Sequence, residues 1–224
     1  MEHDAALELK ELKFEYTPGT PVVDIAHLAV ARGEQVLLTG GSGSGKSTVL
    51  QLISGLLDPV SGSVVVAGER LDTLHGAARD LFRGRHIGMI FQSFNLLTGF
   101  SAAENVMAAL MFSTIPAREH LARAVDALKG LGIETPDRLV DELSVGQQQR
   151  VAVARAVACG PALVLADEPT ASLDPENAAI AMDLIQGACR ARGAALLCVS
   201  HDPGMAARFE RRQALAELNR AGKR

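Results

Sequence analysis

Nine residues, Gly40 to Thr48, read GGSGSGKST, and they constrain this chain more than any other stretch. The run satisfies G-x-x-x-x-G-K-[ST], with Gly40, Gly45, Lys46 and Ser47 on the fixed positions. Glycine at this spacing lets backbone N–H groups of Gly40, Gly41, Ser42, Gly43, Ser44 and Gly45 curl round phosphate oxygens without interference from Cβ atoms. Lys46 then sets a charge on the β and γ phosphates, the Ser47 hydroxyl can ligate Mg²⁺, and a helix opening near Ser47 and Thr48 adds its positive end. The apolar run Val36 to Thr39 precedes the loop and the helical pattern Thr48 to Leu56 follows it, so strand, loop and helix come in the order the chemistry needs.

A second strand signal, Leu163-Val164-Leu165-Ala166, ends in Asp167-Glu168. Adjacent carboxylates at a strand tip are costly unless a cation or a water uses them. Downstream of a phosphate loop, Asp167 reads as a ligand of Mg²⁺ through its water shell, and Glu168 as the general base on an attacking water. Further apolar runs, Ile25 to Val30, Val64 to Val66, Ile87 to Phe91 and Ala195 to Val199, have strand length. Leu12, Phe14 and Tyr16 alternate with polar residues and end at the turn-forming Thr17-Pro18-Gly19. Between Arg118 and Leu131, Leu121, Ala124, Val125, Leu128 and Leu131 recur at helical spacing before Gly132. Another helix is expected after Asp174-Pro175. Strands alternating with helices predict an α/β fold with a parallel sheet.

Between these two motifs lies Leu143-Ser144-Val145-Gly146-Gln147, followed by Gln148-Gln149-Arg150 and a helical run through Cys159. Ser144 and Gln147 have capping-box spacing, so this segment opens a helix whose free N–H groups can receive an anion. Taken with the phosphate loop and the acidic strand end, it resembles the signature of ABC ATPases, and the resemblance covers nearly the whole chain. It implies a P-loop NTPase fold of ABC type: a parallel core sheet, an N-terminal antiparallel β part, and an inserted helical subdomain. Residues 1–224 would form one such domain, with 1–91 and 160–224 as the nucleotide-binding core and about 92–159 as the helical part.

The same resemblance carries roles onto matching positions. Tyr16 stands where the family stacks an aromatic on adenine. Gln92 matches the loop glutamine that senses Mg²⁺ and the attacking water, Ser172-Leu173-Asp174 matches the D-loop, and His201 matches the switch histidine at the γ-phosphate. His3, His27, His75, His86 and His120 have no such context and read as surface or structural residues. ATP and Mg²⁺ are the implied cofactors. Two subunits would stack head to tail, so that ATP lies between Gly40 to Thr48 of one and Ser144, Val145, Gly146 and Gln147 of the other. Most family members have glycine where this chain has Val145; the N–H survives, and with the other motifs complete, hydrolysis is expected to persist.

Composition narrows the setting. A formal charge of -4 argues against a partner that is nucleic acid, since backbone binding needs a basic face. Cys159, Cys189 and Cys198 show no CxxC spacing, lie in apolar stretches, and read as reduced buried thiols. The acidic N-terminus lacks a signal-peptide pattern, and no apolar run approaches the ~18 residues of a membrane span. The expected place is therefore the cytoplasm, and the family resemblance implies attachment to the inner face of the cell membrane through an integral membrane permease subunit. The wording from Phe91 to Val106 looks most like the lipoprotein-releasing and macrolide-exporting ATPases, with polar amino-acid importers close behind. A soluble ABC ATPase acting on DNA or ribosomes would carry coiled coils or a second cassette, which this chain lacks. The 23 residues after His201 read as a solvated terminal helix, with the family's usual closing strands hard to find.

Overall fold

The computed structural model describes residues 5–41, 43–171 and 173–221. In chain order the elements are β1 (Ala5–Thr17), β2 (Thr20–Ala31), β3 (Gln35–Thr39), α1 (Lys46–Ile53), β4 (Ser61–Val66), β5 (Glu69–Arg70), α2 (Gly76–His86) and β6 (Ile87–Ile90). They continue with α3 (Ala102–Leu110), α4 (His120–Lys129), α5 (Val145–Val157), β7 (Leu163–Asp167), α6 (Pro175–Arg192), β8 (Ala195–Ser200), β9 (Arg211–Ala214) and α7 (Leu215–Leu218).

Two sheets form. β2, β1, β4 and β5 make an antiparallel sheet in that order, and β6, β7, β8, β3 and β9 make a parallel one. The Pro18-Gly19 turn joins β1 to β2, with Gly19 at φ +84, a backbone that glycine adopts without a Cβ penalty. β3, β7 and β8 are apolar almost throughout because both of their faces are covered. Period-two alternation splits them between two cores. Val36, Leu38, Leu163, Leu165, Leu197 and Val199 join α1 and the antiparallel sheet in one cluster. Leu37, Val164, Ala166, Leu196 and Cys198 pack on the other side with residues of α5 and α6. A third cluster holds Ala102, Val106, Leu110, Ala124 and Leu128 of α3 and α4 against Val151 and Ala154 of α5. Helix α5 thus spans two cores, since its Val153, Ala156 and Val157 belong to the second.

Three expectations from sequence need correction. The last described residues do not form a solvated helix: β9 adds in parallel to β3 at the sheet edge, and Leu215 of the short α7 is buried. The strand has no apolar alternation to betray it. It is held by main-chain pairing, by the Arg211 guanidinium donating to Ala29 O and Glu34, and by Asn219, which accepts from Asp24 N and donates to Val22 O. In α4 the buried face is His120, Ala124, Ala127 and Leu128, while Leu121 is 57% exposed. Finally, Cys189 and Cys198 are buried but Cys159 is only partly so.

Candidate nucleotide site

Where β3 gives way to α1, the chain turns through the glycine-rich loop. Gly43 and Gly45 take φ +74 and φ +94, left-handed values that a Cβ would strain, and Gly45 is the residue that leads into the helix. Lys46 is 8% exposed, and its ammonium donates to Gly40 O at 2.8 Å and Gly41 O at 2.9 Å, so the lysine is drawn back over the loop that precedes it. Ser42 lies outside the described residues.

The tip of β7 faces this loop. Burial pushes the Asp167 carboxyl above its usual range; the Ser47 hydroxyl hydrogen-bonded to it and the Lys46 charge oppose that rise, and the like charge of Glu168 adds to it. Glu168 follows at φ +46, a conformation that aims its side chain back across the strand ends. Its N–H donates to Val199 O at 3.0 Å, one Oε accepts the His201 N–H at 3.3 Å, and the other lies 2.8 Å from His201 Nδ1. The same oxygen is 3.6 Å from Lys46 Nζ. The Nδ1 edge of His201 is thus turned to Glu168, while 63% of the His201 side chain is exposed.

Tyr16, Gly43, Gly45, Lys46, Ser47, Thr48, Gln92, Glu168 and His201 line one cleft of about 550 Å³. Tyr16 is pinned there by its hydroxyl, 3.2 Å from Thr48 Oγ1, and by an edge-on contact with Phe14, while 61% of the residue is exposed. Val22 and Ala171 also line the cleft, and sequence reasoning missed both: each is a small apolar residue with nothing in its neighbourhood to single it out.

A polyphosphate with its cation fits this donor set. Ser44 Oγ, in the same loop, is a buried side-chain oxygen without a hydrogen-bond partner. Ser47 and Asp167 supply a hydroxyl and a carboxylate already in contact, the oxygen ligands that Mg²⁺ takes.

The helix at Ser144 lies elsewhere. Ser144 caps α5, accepting the Gln147 N–H at 3.3 Å, while Gln147 Oε1 accepts the Ser144 N–H at 3.0 Å. The capping box expected from spacing is therefore present, but Val145 and Gly146 line a different concavity, with Arg150, Asp174, Asn177 and Ile180. Val145 is 57% exposed, and nothing lies within 4 Å of a Cβ built on Gly146. Asp174 serves as the N-cap of α6, accepting from Asn177 N at 3.1 Å. Ser172 lies outside the described residues. Within one chain, the helix start at Ser144 is not part of the cleft at Lys46.

Comparison with known proteins decides the family: residues 23–171 match the ABC transporter family. This chain belongs to it. The lipoprotein-releasing system ATP-binding protein LolD of Chromohalobacter salexigens is 43% identical over 191 residues, covering 85% of this chain and 81% of that protein. LolD 1 of Rhodospirillum rubrum is 40% identical over 217 residues, covering 95% and 96%. Among solved structures, the ATP-binding cassette MJ0796, captured as a dimer in a post-hydrolysis state bound to ADP and Pi, aligns with TM-score 0.80 at 34% identity over 93% of each chain. The structure of cbiO1 from Clostridium perfringens, part of the ABC transporter complex cbiONQ, aligns with TM-score 0.78 at 32% identity over 89% of this chain and 79% of that one. The chain is an ATP-binding subunit of ABC type, with the α/β fold of those cassettes. Among the described residues no helix is long and apolar enough to cross a membrane.

Proposed function

We propose that this cassette hydrolyses ATP as a head-to-tail pair and so powers a separate integral membrane permease that releases lipoproteins from the membrane. The relatives named for lipoprotein release, at about two residues in five identical, support the cargo class. The dimeric solved relative supports pairing, and so does the placement of the Ser144 helix outside its own chain's cleft. In this reading residues 1–91 and 160–224 are the nucleotide-binding core and about 92–159 the helical subdomain. The assembly sits at the inner face of the cell membrane, where the exposed Leu97 and Phe100 beside α3 belong to the surface that meets the permease.

The observation that carries hydrolysis is the Glu168 carboxylate held between Lys46 and His201 at the mouth of the phosphate loop. Tyr16 offers an exposed ring on which adenine stacks, and Gly40 to Thr48 with Lys46 enclose the phosphates. Ser47, Gln92 and, through water, Asp167 would hold Mg²⁺, which would supply electrostatic stabilisation of the phosphate charge. Glu168 accepts the proton of the attacking water, which Gln92 orients, and His201 keeps the γ-phosphate in register by donating a ring N–H to it. The partner's Ser144-to-Gln147 helix start closes the site with free N–H groups, and Val145 supplies one of them as glycine would.

Glu168→Gln tests this. The amide still accepts the His201 Nδ1–H, so the site keeps its shape while losing its base. Steady-state hydrolysis should fall by at least ~100-fold, the low end for removing a general base, and ATP should now hold the protein as a dimer. Unchanged turnover in this variant, or an exclusively monomeric protein at saturating ATP, would refute the reading.

A further inference from the structure

Gln92 lies in a short loop just beyond β6, and this loop has an unusual backbone. Phe94 and Asn95 both take positive φ, +58 and +48, a region that residues with a Cβ avoid unless their surroundings impose it. Local bonds close the turn: Phe94 N donates to Phe91 O, Asn95 N to Ser93 O, and Ser93 Oγ to Asn95 Oδ1. Those bonds leave the Phe94 and Asn95 carbonyls directed towards α5. There the Arg155 guanidinium receives both, donating to Phe94 O at 2.6 Å and to Asn95 O at 2.5 Å.

Arg155 has no compensating charge among the described residues. Burial alone pushes its pKa down, with no carboxylate acting on it. A half-buried guanidinium satisfied by two main-chain carbonyls costs solvation that a neutral side chain would not. Its fork geometry is what two neighbouring carbonyls require and what a lysine lacks. Helix α5 is in turn seated firmly on the strand that leads into the loop, because a Cβ on Gly88 of β6 would come within 2.2 Å of Ala156 O, one residue beyond Arg155. The contact between strand and helix and the arginine together fix the loop from both ends.

We propose that Arg155 is a positioning residue for hydrolysis: by clamping the Phe94 and Asn95 carbonyls it holds the loop that carries Gln92 at the nucleotide cleft. The inference rests on the hydrolytic reading above and names a link between the cleft and α5, the helix that opens at Ser144. Any tilt of α5 on closure of the pair pulls directly on the loop bearing Gln92, so docking of the partner at the Ser144 end of the helix is felt at the attacking water in the same chain's own cleft.

A double-mutant cycle on the full chain tests it, with wild type, Gln92→Ala, Arg155→Met and the double variant compared in steady-state ATP hydrolysis. Arg155→Met should lower kcat by about tenfold to a hundredfold, the scale of slight misplacement of a reacting group, and leave KM for ATP within about twofold. Arg155→Lys, which keeps the charge but not the fork, should fall between the two and substitutes if Arg155→Met fails to fold. The double variant should be no slower than Gln92→Ala alone, because both changes disable the same loop. Wild-type kcat in Arg155→Met, or losses that multiply in the double variant, would overturn the clamp. Absence of turnover in the wild type would instead refute the hydrolytic reading. In that event amide hydrogen exchange decides: faster exchange in Arg155→Met confined to residues 92–97 supports the clamp, and unchanged exchange there overturns it.

Discussion

Gly88→Ala isolates the contact between β6 and α5. A Cβ at this position would sit 2.2 Å from Ala156 O and 3.0 Å from Ala156 C, and because both are main-chain atoms no rotamer change can make room. The helix must move off the strand by roughly 1 Å to reach ordinary van der Waals separation. That displacement is resisted by Val153, Ala156 and Val157, packed in the core beneath the parallel sheet. Overpacking of this kind costs about 1–3 kcal/mol, offset in part by the ~0.5–1 kcal/mol that alanine gains over glycine in regular structure. The expected net loss therefore lies between about 0 and 2.5 kcal/mol, centred on ~1 kcal/mol, which for a domain of this size lowers Tm by roughly 2–4 °C. Gly187→Ala is the matched control. It lies inside α6 with nothing within 4 Å of its Cβ position, so the same substitution there should raise stability by about 0.5–1 kcal/mol. Urea unfolding of both variants checks the pair. If Gly88→Ala is stabilised as much as Gly187→Ala, to within ~0.5 kcal/mol, the close approach of helix and strand does not constrain this fold and the argument fails.

Two further outcomes follow from charge and burial. Asp167 has its folded pKa raised by burial, so the folded protein binds its proton more tightly than the unfolded chain does. The ionised carboxylate then costs stability at neutral pH, and that cost disappears as pH falls through the raised folded value towards the unfolded value of about 3.9. Asp167→Asn should accordingly melt above wild type at pH 7, with the gap closing on acidification and with Mg²⁺-dependent ATP binding weakened; thermal melts from pH 7 to pH 4 that run parallel would contradict this. As for the thiols, burial pushes Cys189 up to about 12 and Cys198 higher still, whereas Cys159 is raised less and is partly exposed. Alkylation of the native protein at pH 8 should modify Cys159 first and leave the other two protected until denaturant is added, as peptide mapping by mass spectrometry would show.

Much of this molecule could be read from the chain alone wherever function imposes a local pattern. The residues from Gly40 to Thr48 need glycine for backbone shape and lysine for charge, Asp167 and Glu168 stand at the end of an apolar strand, and Ser144 with Gln147 sets a helix start by spacing. Each of these signals lies within a few residues of itself, and the structure forms the expected strand, loop, helix and cap at each. The strands with two buried faces, β3, β7 and β8, announced themselves as uninterrupted apolar runs for the same reason.

What tertiary structure alone decided are the relations between segments far apart in sequence. No periodicity marks β9, because edge pairing with β3 and the hydrogen bonds of Arg211 and Asn219 hold it in place of a hydrophobic face. Leu121 satisfied the helical spacing yet faces outward, since α3 and α5 select which stripe of α4 they cover. The bond from His201 to Glu168 spans 33 residues and the clamp from Arg155 to Phe94 spans 61. Local sequence specifies dihedral preference and amphipathic pattern, whereas a guanidinium meeting two distant carbonyls depends on where the packed helix carries it, and only the assembled cores determine that.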